Sequence, residues 1–265
     1  MSALINKLRS GSNLICLDYL KYARGLFGSG ESCWFEGAQL LNLIRQGQQA
    51  LRADVVLLPL LDWMQAWSSA HPNAIFQGRT PSKILKNICT DPALTASLHD
   101  TLLALATMHG TERISLLVDD PARWLAWAAD SDNVDEILDE NQVEDVAVYL
   151  SALLHQLPMG EVGALFIRQD SMLDGDIGPA YASLTNTARH YGVASVFCAP
   201  SLLAAPLDFD CYASDSPDAT NGRIMQQSDW EQPQSLSAPF AIGVVPDKAL
   251  PQNVLKALAC WRNQS

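Results

Sequence analysis

The sequence predicts an α/β protein built as a single (β/α)8 barrel of the TIM type, with residues 1–265 in one domain. Three observations predict this fold. Short apolar runs alternate with segments of helical period, as expected of buried parallel strands joined by helical crossovers. The length of 265 residues suits one such barrel. Neither GxGxxG nor GxxxxGK[ST] follows a strand, which disfavours a doubly wound nucleotide-binding sheet.

The N-terminal part begins with two strands separated by a helix. Residues Asn13–Asp18 and Asp54–Asp62 are apolar runs, and each ends in an aspartate. Between them, apolar residues at helical spacing predict a helix over Phe35–Leu51.

The middle of the chain continues with two helices, a strand and a capped helix. Helical periodicity covers Pro81–Ile88 and Ala93–Met108, and a strand is predicted over Ile114–Val118. One aspartate of the Asp119–Asp120 pair is expected to cap the next helix, which starts with a proline.

The C-terminal part repeats the alternation. Val143–Leu157 has the pattern of an amphipathic helix. The remaining elements are strands at 163–168, 193–198, 209–213 and 239–245, with helices at 179–191 and 251–261. The eighth strand lies either at Asn73–Gln77 or near Ile224–Gln227, and the sequence pattern leaves both open.

Composition limits the classes of partner. Hydrophobic residues make up 48% of the chain and charged residues 17%, which suits a large buried core. The net charge of −12 disfavours nucleic acid and anionic membranes, which attract clustered Lys and Arg. A small anionic substrate remains possible, because a few local cations override the overall charge. A homodimer is also possible.

Targeting and cysteine patterns favour a cytoplasmic location. No apolar stretch approaches the roughly 20 residues that span a bilayer. The N-terminus has no long apolar segment of the kind that starts a signal peptide. The 6 cysteines show no paired spacing, which favours reduced core residues over disulfides.

Aspartates recur where the apolar runs end. Because the active site of a barrel lies at the C-terminal ends of its strands, these aspartates indicate where chemistry occurs. They are Asp18, Asp62, Asp119, Asp120, Asp170, Asp215 and Asp247. Turns and helix caps explain Asp215, Asp247 and one of the Asp119–Asp120 pair. The others remain site candidates.

Several segments resemble the superfamily of uroporphyrinogen decarboxylase and cobalamin-independent methionine synthase. The resemblance extends over residues 14–262 and is carried by Gln48–Trp63, Arg79–Leu105, Arg113–Ala128, Gly192–Pro200, Asp208–Asp215 and Ala241–Leu258. It implies a barrel whose cleft handles acidic tetrapyrroles or methyl-transfer substrates.

The resemblance implies roles for some residues, and the chain departs from the family at others. Asp62 falls at the position of the decarboxylases' catalytic aspartate. Lys21 and Arg24 stand where those enzymes have an arginine-rich, carboxylate-binding segment. The methyltransferases bind zinc through an HxC pair, but Cys198 is preceded two residues earlier by Val196. A zinc-dependent thiol methyltransferase is therefore not expected, and no metal or cofactor is predicted.

The remaining candidates have both structural and functional interpretations. Arg168 could bind a substrate carboxylate or pair with Asp170, which shares its side of the strand. Arg123 pairs with Asp119 or with a bound carboxylate. Trp63 is either a ligand contact or part of the core.

The sequence thus predicts an enzyme of decarboxylase or lyase type acting on a small carboxylate-bearing substrate. The predicted catalytic residues are Asp62, Asp119 and Asp170, and the predicted substrate-binding residues are Asp18, Lys21, Arg24, Trp63, Arg123 and Arg168. Three alternatives stay open: a methyltransferase relative without the zinc site, a non-catalytic binding or accessory protein, and a divalent-metal enzyme using the aspartates.

Overall fold

Eight parallel strands form a closed barrel in chain order, which confirms the predicted fold class. The computed structural model describes residues 3–10, 13–28, 34, 36–71, 80–129, 140–169, 178–200, 209–216, 221–235 and 237–262. The strands are β1 (Leu14–Asp18), β2 (Val55–Pro59), β3 (Ile114–Asp119), β4 (Ala164–Arg168), β5 (Ala194–Cys198), β6 (Cys211–Ser214), β7 (Gly222–Ile224) and β8 (Phe240–Val244). β1 pairs with β8 and closes the barrel.

Helices follow most of the strands and cover the outside of the sheet. They are α1 (Ala3–Arg9), α2 (Leu20–Phe27), α3 (Gly37–Leu51), α4 (Leu60–Ala70), α5 (Pro81–Cys89), α6 (Pro92–His109), α7 (Pro121–Ala128), α8 (Glu140–Leu154), α9 (Gly178–Tyr191), α10 (Gln227–Glu231) and α11 (Pro251–Arg262). Short 3-10 turns at Thr111–Arg113 and Met159–Glu161 lead into β3 and β4. Among the described residues, no helix has both the length and the apolar character needed to cross a bilayer.

Side-chain alternation divides the apolar core into two layers. Leu17, Val56 and Leu116 belong to the outer layer, between the sheet and the helices. Cys16 and Leu57 belong to the inner layer, which fills the barrel. Three residues of α1 pack in this inner layer, so α1 covers the N-terminal end of the barrel: Leu4, Ile5 and Leu8.

The same alternation decides which residues face the opposite end, here called the mouth. In a strand, every second side chain lies on one face. Asp18, Asp119 and Arg168 each follow an inner-layer residue by two positions, namely Cys16, Leu117 and Phe166. They therefore point into the barrel at its C-terminal end.

The second strand ends earlier than the predicted range Asp54–Asp62. β2 ends at Pro59, and Leu60 begins α4. Proline has no N–H to donate to the neighbouring strand, so pairing stops there and the apolar residues that follow continue as a helix. Asp62 therefore lies in the first turn of α4 rather than at a strand end.

The eighth strand is β7, at Gly222–Ile224, just upstream of one predicted position. The other, Asn73–Gln77, lies outside the described residues. Gly222 is required here because a Cβ at this position would lie 2.2 Å from the ring of Phe240 inside the barrel. With only three residues, β7 was too short for sequence periodicity to place it securely.

Candidate active site

Asp18 is the most unusual carboxyl of the mouth. It ends β1 and is only 5% exposed. Burial, and after it the negative charge of Asp62, raise the pKa of Asp18 to about 7. The backbone N–H of Leu20, which donates to Oδ1 at 3.3 Å, and the positive charges of Arg168 and Lys21 only partly oppose this. Asp18 is therefore poised to gain or lose a proton near neutral pH.

Asp119 and Arg168 form an ion pair across adjacent strands. The two residues are register partners on β3 and β4. Nε of Arg168 donates to Oδ1 of Asp119 at 3.0 Å, and Nη2 donates to the same oxygen. Nη1 of Arg123, in the first turn of α7, lies 3.8 Å from that oxygen. Asp119 is 2% exposed, so the paired guanidinium groups compensate a buried negative charge.

Lys21 and Asp62 form a second ion pair near Asp18. Nζ of Lys21 lies 3.0 Å from Oδ1 and 2.9 Å from Oδ2 of Asp62. The pair joins the first turns of α2 and α4. The lysine side chain is half exposed, whereas Asp62 is largely covered. Asp62 does not cap α4, because the N-cap position is occupied by Pro59.

The adjacent residues Asp119 and Asp120 have different functions. Oδ1 of Asp120 accepts the backbone N–H of Ala122 at 2.9 Å, so Asp120 is the N-cap of α7. Asp119 belongs to β3 and points into the mouth. Successive side chains of a strand point to opposite faces, which explains why only one of the two reaches the site.

Two further predicted residues have other surroundings, and a third lies outside the described part of the chain. Trp63 is 3% exposed within the outer core layer, so its surroundings favour the packing interpretation, and its contact with substrate stays a prediction. Arg24 lies one turn after Lys21 on α2 and is partly exposed, farther along the helix from Asp18. Asp170 lies outside the described residues, so its predicted pairing with Arg168 is not described.

The thiol of Cys16, in the barrel interior, is held in the protonated form. Burial raises the pKa of Cys16 well above its ordinary value, and the neighbouring Asp54 and Cys198 raise it further. Cys198 faces inward at the end of β5. The cysteines within the described ranges form no disulfide bond. A protonated, enclosed thiol is a poor nucleophile, so Cys16 adds no nucleophile to the mouth.

The described part of the chain brings together no group of three His, Cys, Asp or Glu side chains suited to a metal ion. The divalent-metal hypothesis therefore gains no ligand set from these residues. The charged groups of the mouth are instead arranged as two carboxylate–cation pairs beside Asp18.

A concave region lies at the N-terminal end of the barrel. This cleft of about 690 Å³ runs beside α1 and is lined in part by Lys7, Asp54, His109 and Glu112. Lys7 pairs with Glu112, and burial lowers the pKa of His109, helped by the charge of Arg113. Barrel enzymes carry out their chemistry at the opposite end, so the mouth is the candidate active site.

The sequence did not reveal which carboxyl of the mouth titrates near neutral pH. Asp18 was predicted to bind substrate and Asp62 to carry out catalysis, yet Asp18 has the raised pKa and Asp62 is paired with Lys21. The difference depends on burial and on the approach of α4 to β1. A strand-end aspartate inside an otherwise apolar run was the one available signal.

Comparison with models of protein families, with curated proteins and with solved structures finds no match for this chain. The class of the protein therefore rests on its geometry, which is that of a (β/α)8 barrel with a charged mouth. The resemblance to the uroporphyrinogen decarboxylase superfamily stays a prediction.

Proposed function

We propose that this protein is an enzyme that binds a small carboxylate-bearing molecule in the mouth of the barrel and transfers a proton through Asp18. The observation that carries the proposal is the enclosure of Asp18 at the end of β1, where burial and the charge of Asp62 raise its pKa to about 7. A general acid or base works best when its pKa lies near the working pH. Asp18 meets this condition, and it lies at the end of the barrel where such enzymes act.

The cations of the mouth supply the affinity for a carboxylate. The ion pair of Lys21 with Asp62 is partly exposed to water, and such pairs contribute only about 0–1 kcal/mol to stability. A substrate carboxylate can therefore share Lys21 at little cost. Arg168 is fixed in orientation by Asp119, which prepares its planar guanidinium for recognition of a second acidic group.

A decarboxylation or lyase step fits these groups. In a decarboxylation, the bond between the substrate carbon and its carboxylate breaks, and CO2 leaves. The electron pair stays on the carbon and takes the proton of Asp18, which solvent then replaces. Asp62 favours the protonated form of Asp18 through its negative charge, and thereby keeps the proton available at neutral pH.

The experiment uses a panel of small ¹³C-carboxylates in D2O. NMR follows the release of labelled CO2 and the incorporation of deuterium at carbon. We expect Asp18→Asn to lower the rate by about 100-fold or more, the range typical of a lost general acid. Asp54→Asn is the matched control, because Asp54 also accepts a backbone N–H but lies at the other end of the barrel.

The pH profile provides a second readout. Asp62→Asn removes a charge that raises the pKa of Asp18, so the limb of the profile near pH 7 should move to lower pH. Equal rates for the wild type and Asp18→Asn with every reacting compound would contradict the proposal.

One observation favours a second candidate, a non-catalytic binding protein. Both Asp119 and Asp62 already have cationic partners within the chain, so their negative charges are balanced without a ligand. In that case the carboxylates would bind with no release of CO2 and no exchange of hydrogen at carbon, in the wild type as in Asp18→Asn.

A further inference from the structure

The mouth has a polar half and an apolar half. In an eight-stranded barrel in chain order, β1–β4 form one side and β5–β8 the other. The inward residues nearest the mouth on β1, β3 and β4 are Asp18, Asp119 and Arg168, and those on β5–β8 are Cys198, Ala213, Ile224 and Val244. Among these strand residues, the charged side chains therefore lie on one side of the barrel and face uncharged side chains on the other.

Val244 is the exposed part of the apolar half. It ends β8 and shares the inward side of that strand with Phe240 and Ile242. Its exposed fraction is 41%, whereas Cys198 and Ala213, in the same half, are almost completely covered. Solvent therefore reaches the mouth at β8.

The position of Val244 relative to the charged groups is fixed by the sheet. Val244 is the register partner of Asp18, so the two side chains lie on neighbouring strands, about 4.8 Å apart in the pairing direction. Arg168 is on β4, four strands away and hence on the opposite side of the barrel. A molecule lying across the mouth from Arg168 to Val244 passes Asp18 close to its Val244 end.

We infer that the substrate is an amphiphilic carboxylate, with its acidic group toward Arg168 and a hydrocarbon part against Val244, which determines specificity. The inference rests on the proposed function and extends it to a substrate class. A compact, fully polar polycarboxylate leaves Val244 in contact with water and gains no affinity from this residue. A hydrocarbon part removes that surface from water and gains about fourfold in affinity per buried methylene.

The test compares two ligand series by calorimetry. Straight-chain carboxylates from acetate to octanoate carry both groups, and the n-alcohols of the same lengths carry the hydrocarbon part alone. The proteins are the wild type, Val244→Thr and Val148→Thr. Threonine keeps the branched shape of valine but adds a hydroxyl. Val148, on α8 and 54% exposed, is the matched control away from the mouth.

We expect carboxylate affinity to rise with chain length in the wild type and in Val148→Thr. Val244→Thr should weaken octanoate binding about fivefold and change acetate binding less than twofold, because acetate does not reach the valine. Circular dichroism and thermal unfolding verify that both variants fold.

The other outcomes separate the two proposals. Carboxylate affinity that is independent of length, or equal in Val244→Thr and the wild type, would overturn this inference while the proposed function stands. The alcohols could bind with an affinity that depends on chain length and on Val244, while the carboxylates bind no more tightly. This result would overturn the proposed function but support hydrocarbon binding in the apolar half. Absence of binding in both series would overturn both.

Discussion

The two ends of the barrel use aspartate in different ways. At the N-terminal end, Oδ2 of Asp54 accepts the backbone N–H of Ile15 at 2.9 Å, and its own N–H donates to the carbonyl of Ile15 at 2.9 Å. Asp210 repeats this arrangement with Ser195, at 2.9 Å and 3.1 Å. These side chains complete the hydrogen bonding of neighbouring strands where regular pairing begins. At the mouth, Asp18 and Asp119 are enclosed by the barrel instead.

The difference follows from position along the strand. An aspartate before a strand lies at the outer edge of the sheet, where water and a backbone N–H stabilise its charge. An inward aspartate at the last position of a strand is surrounded by the barrel wall, so it needs a cation or retains its proton. Asp119 has the cation, and Asp18 has the raised pKa. The same residue type is structural at one end and chemically poised at the other.

The largest effect is expected at the buried ion pair of the mouth. Asp119→Ala should lower the free energy of unfolding by about 3 kcal/mol, because it removes the buried carboxylate that pairs with the partly buried Arg168. Arg168→Met should cost a similar amount. Urea unfolding at pH 7 measures both. The double variant should cost less than the sum of the two, and strict additivity would show that the pair does not couple them.

The pH dependence of stability should distinguish Asp18 from the aspartates of the N-terminal end. Between its ordinary pKa of 3.8 and the folded value of about 7, the unfolded chain has released the proton of Asp18 while the folded protein keeps it. The contribution of Asp18 to stability is thus lost as the pH rises through this window. The free energy of unfolding should decrease by about 2 kcal/mol between pH 5 and pH 7.

Asp18→Asn removes this contribution, so the difference between wild-type and variant profiles isolates it. Urea titrations at a series of pH values provide the measurement. A difference that is constant from pH 5 to pH 8 would mean that Asp18 has an ordinary pKa in the folded protein.

A smaller effect is expected at the N-terminal end. Asp54→Ala removes the hydrogen bond to the N–H of Ile15 and should lower the free energy of unfolding by about 1 kcal/mol. Asp54→Asn, which keeps an acceptor oxygen, is the control. A loss of 3 kcal/mol or more in the free energy of unfolding, as expected at Asp119, would contradict the proposed difference between the two ends.

The sequence predicted the architecture well because local patterns carry it. Apolar runs such as Ile114–Val118 and proline-started helices such as α7 are specified by neighbouring residues, and the structure has both. The strand β7 was harder to predict, because three residues are too few to show a periodic pattern. The error at Asp62 arose because an apolar run does not reveal where a strand turns into a helix.

The position of the candidate site could be predicted from the sequence, but the interactions of its residues could not. Strand-end aspartates indicated the mouth, and Asp18, Asp62, Asp119 and Arg168 do lie at that end. The pairing of Asp119 with Arg168 depends on the register between β3 and β4, which are 49 residues apart in these two positions. The raised pKa of Asp18 depends on enclosure by the whole barrel. Neither is present in any short segment of sequence.

The enclosure of the inner core by α1 has a consequence for how the chain is made. Arg9, at the end of α1, donates to the carbonyl of Asp210, which is 201 residues away. A ribosome adds 5–20 residues per second, so α1 waits about 10 to 40 seconds for this partner. Until β8 is synthesised, β1 is an open sheet edge with its apolar inner face uncovered. The risk of aggregation for this protein therefore lies in its synthesis, before the ring of strands closes.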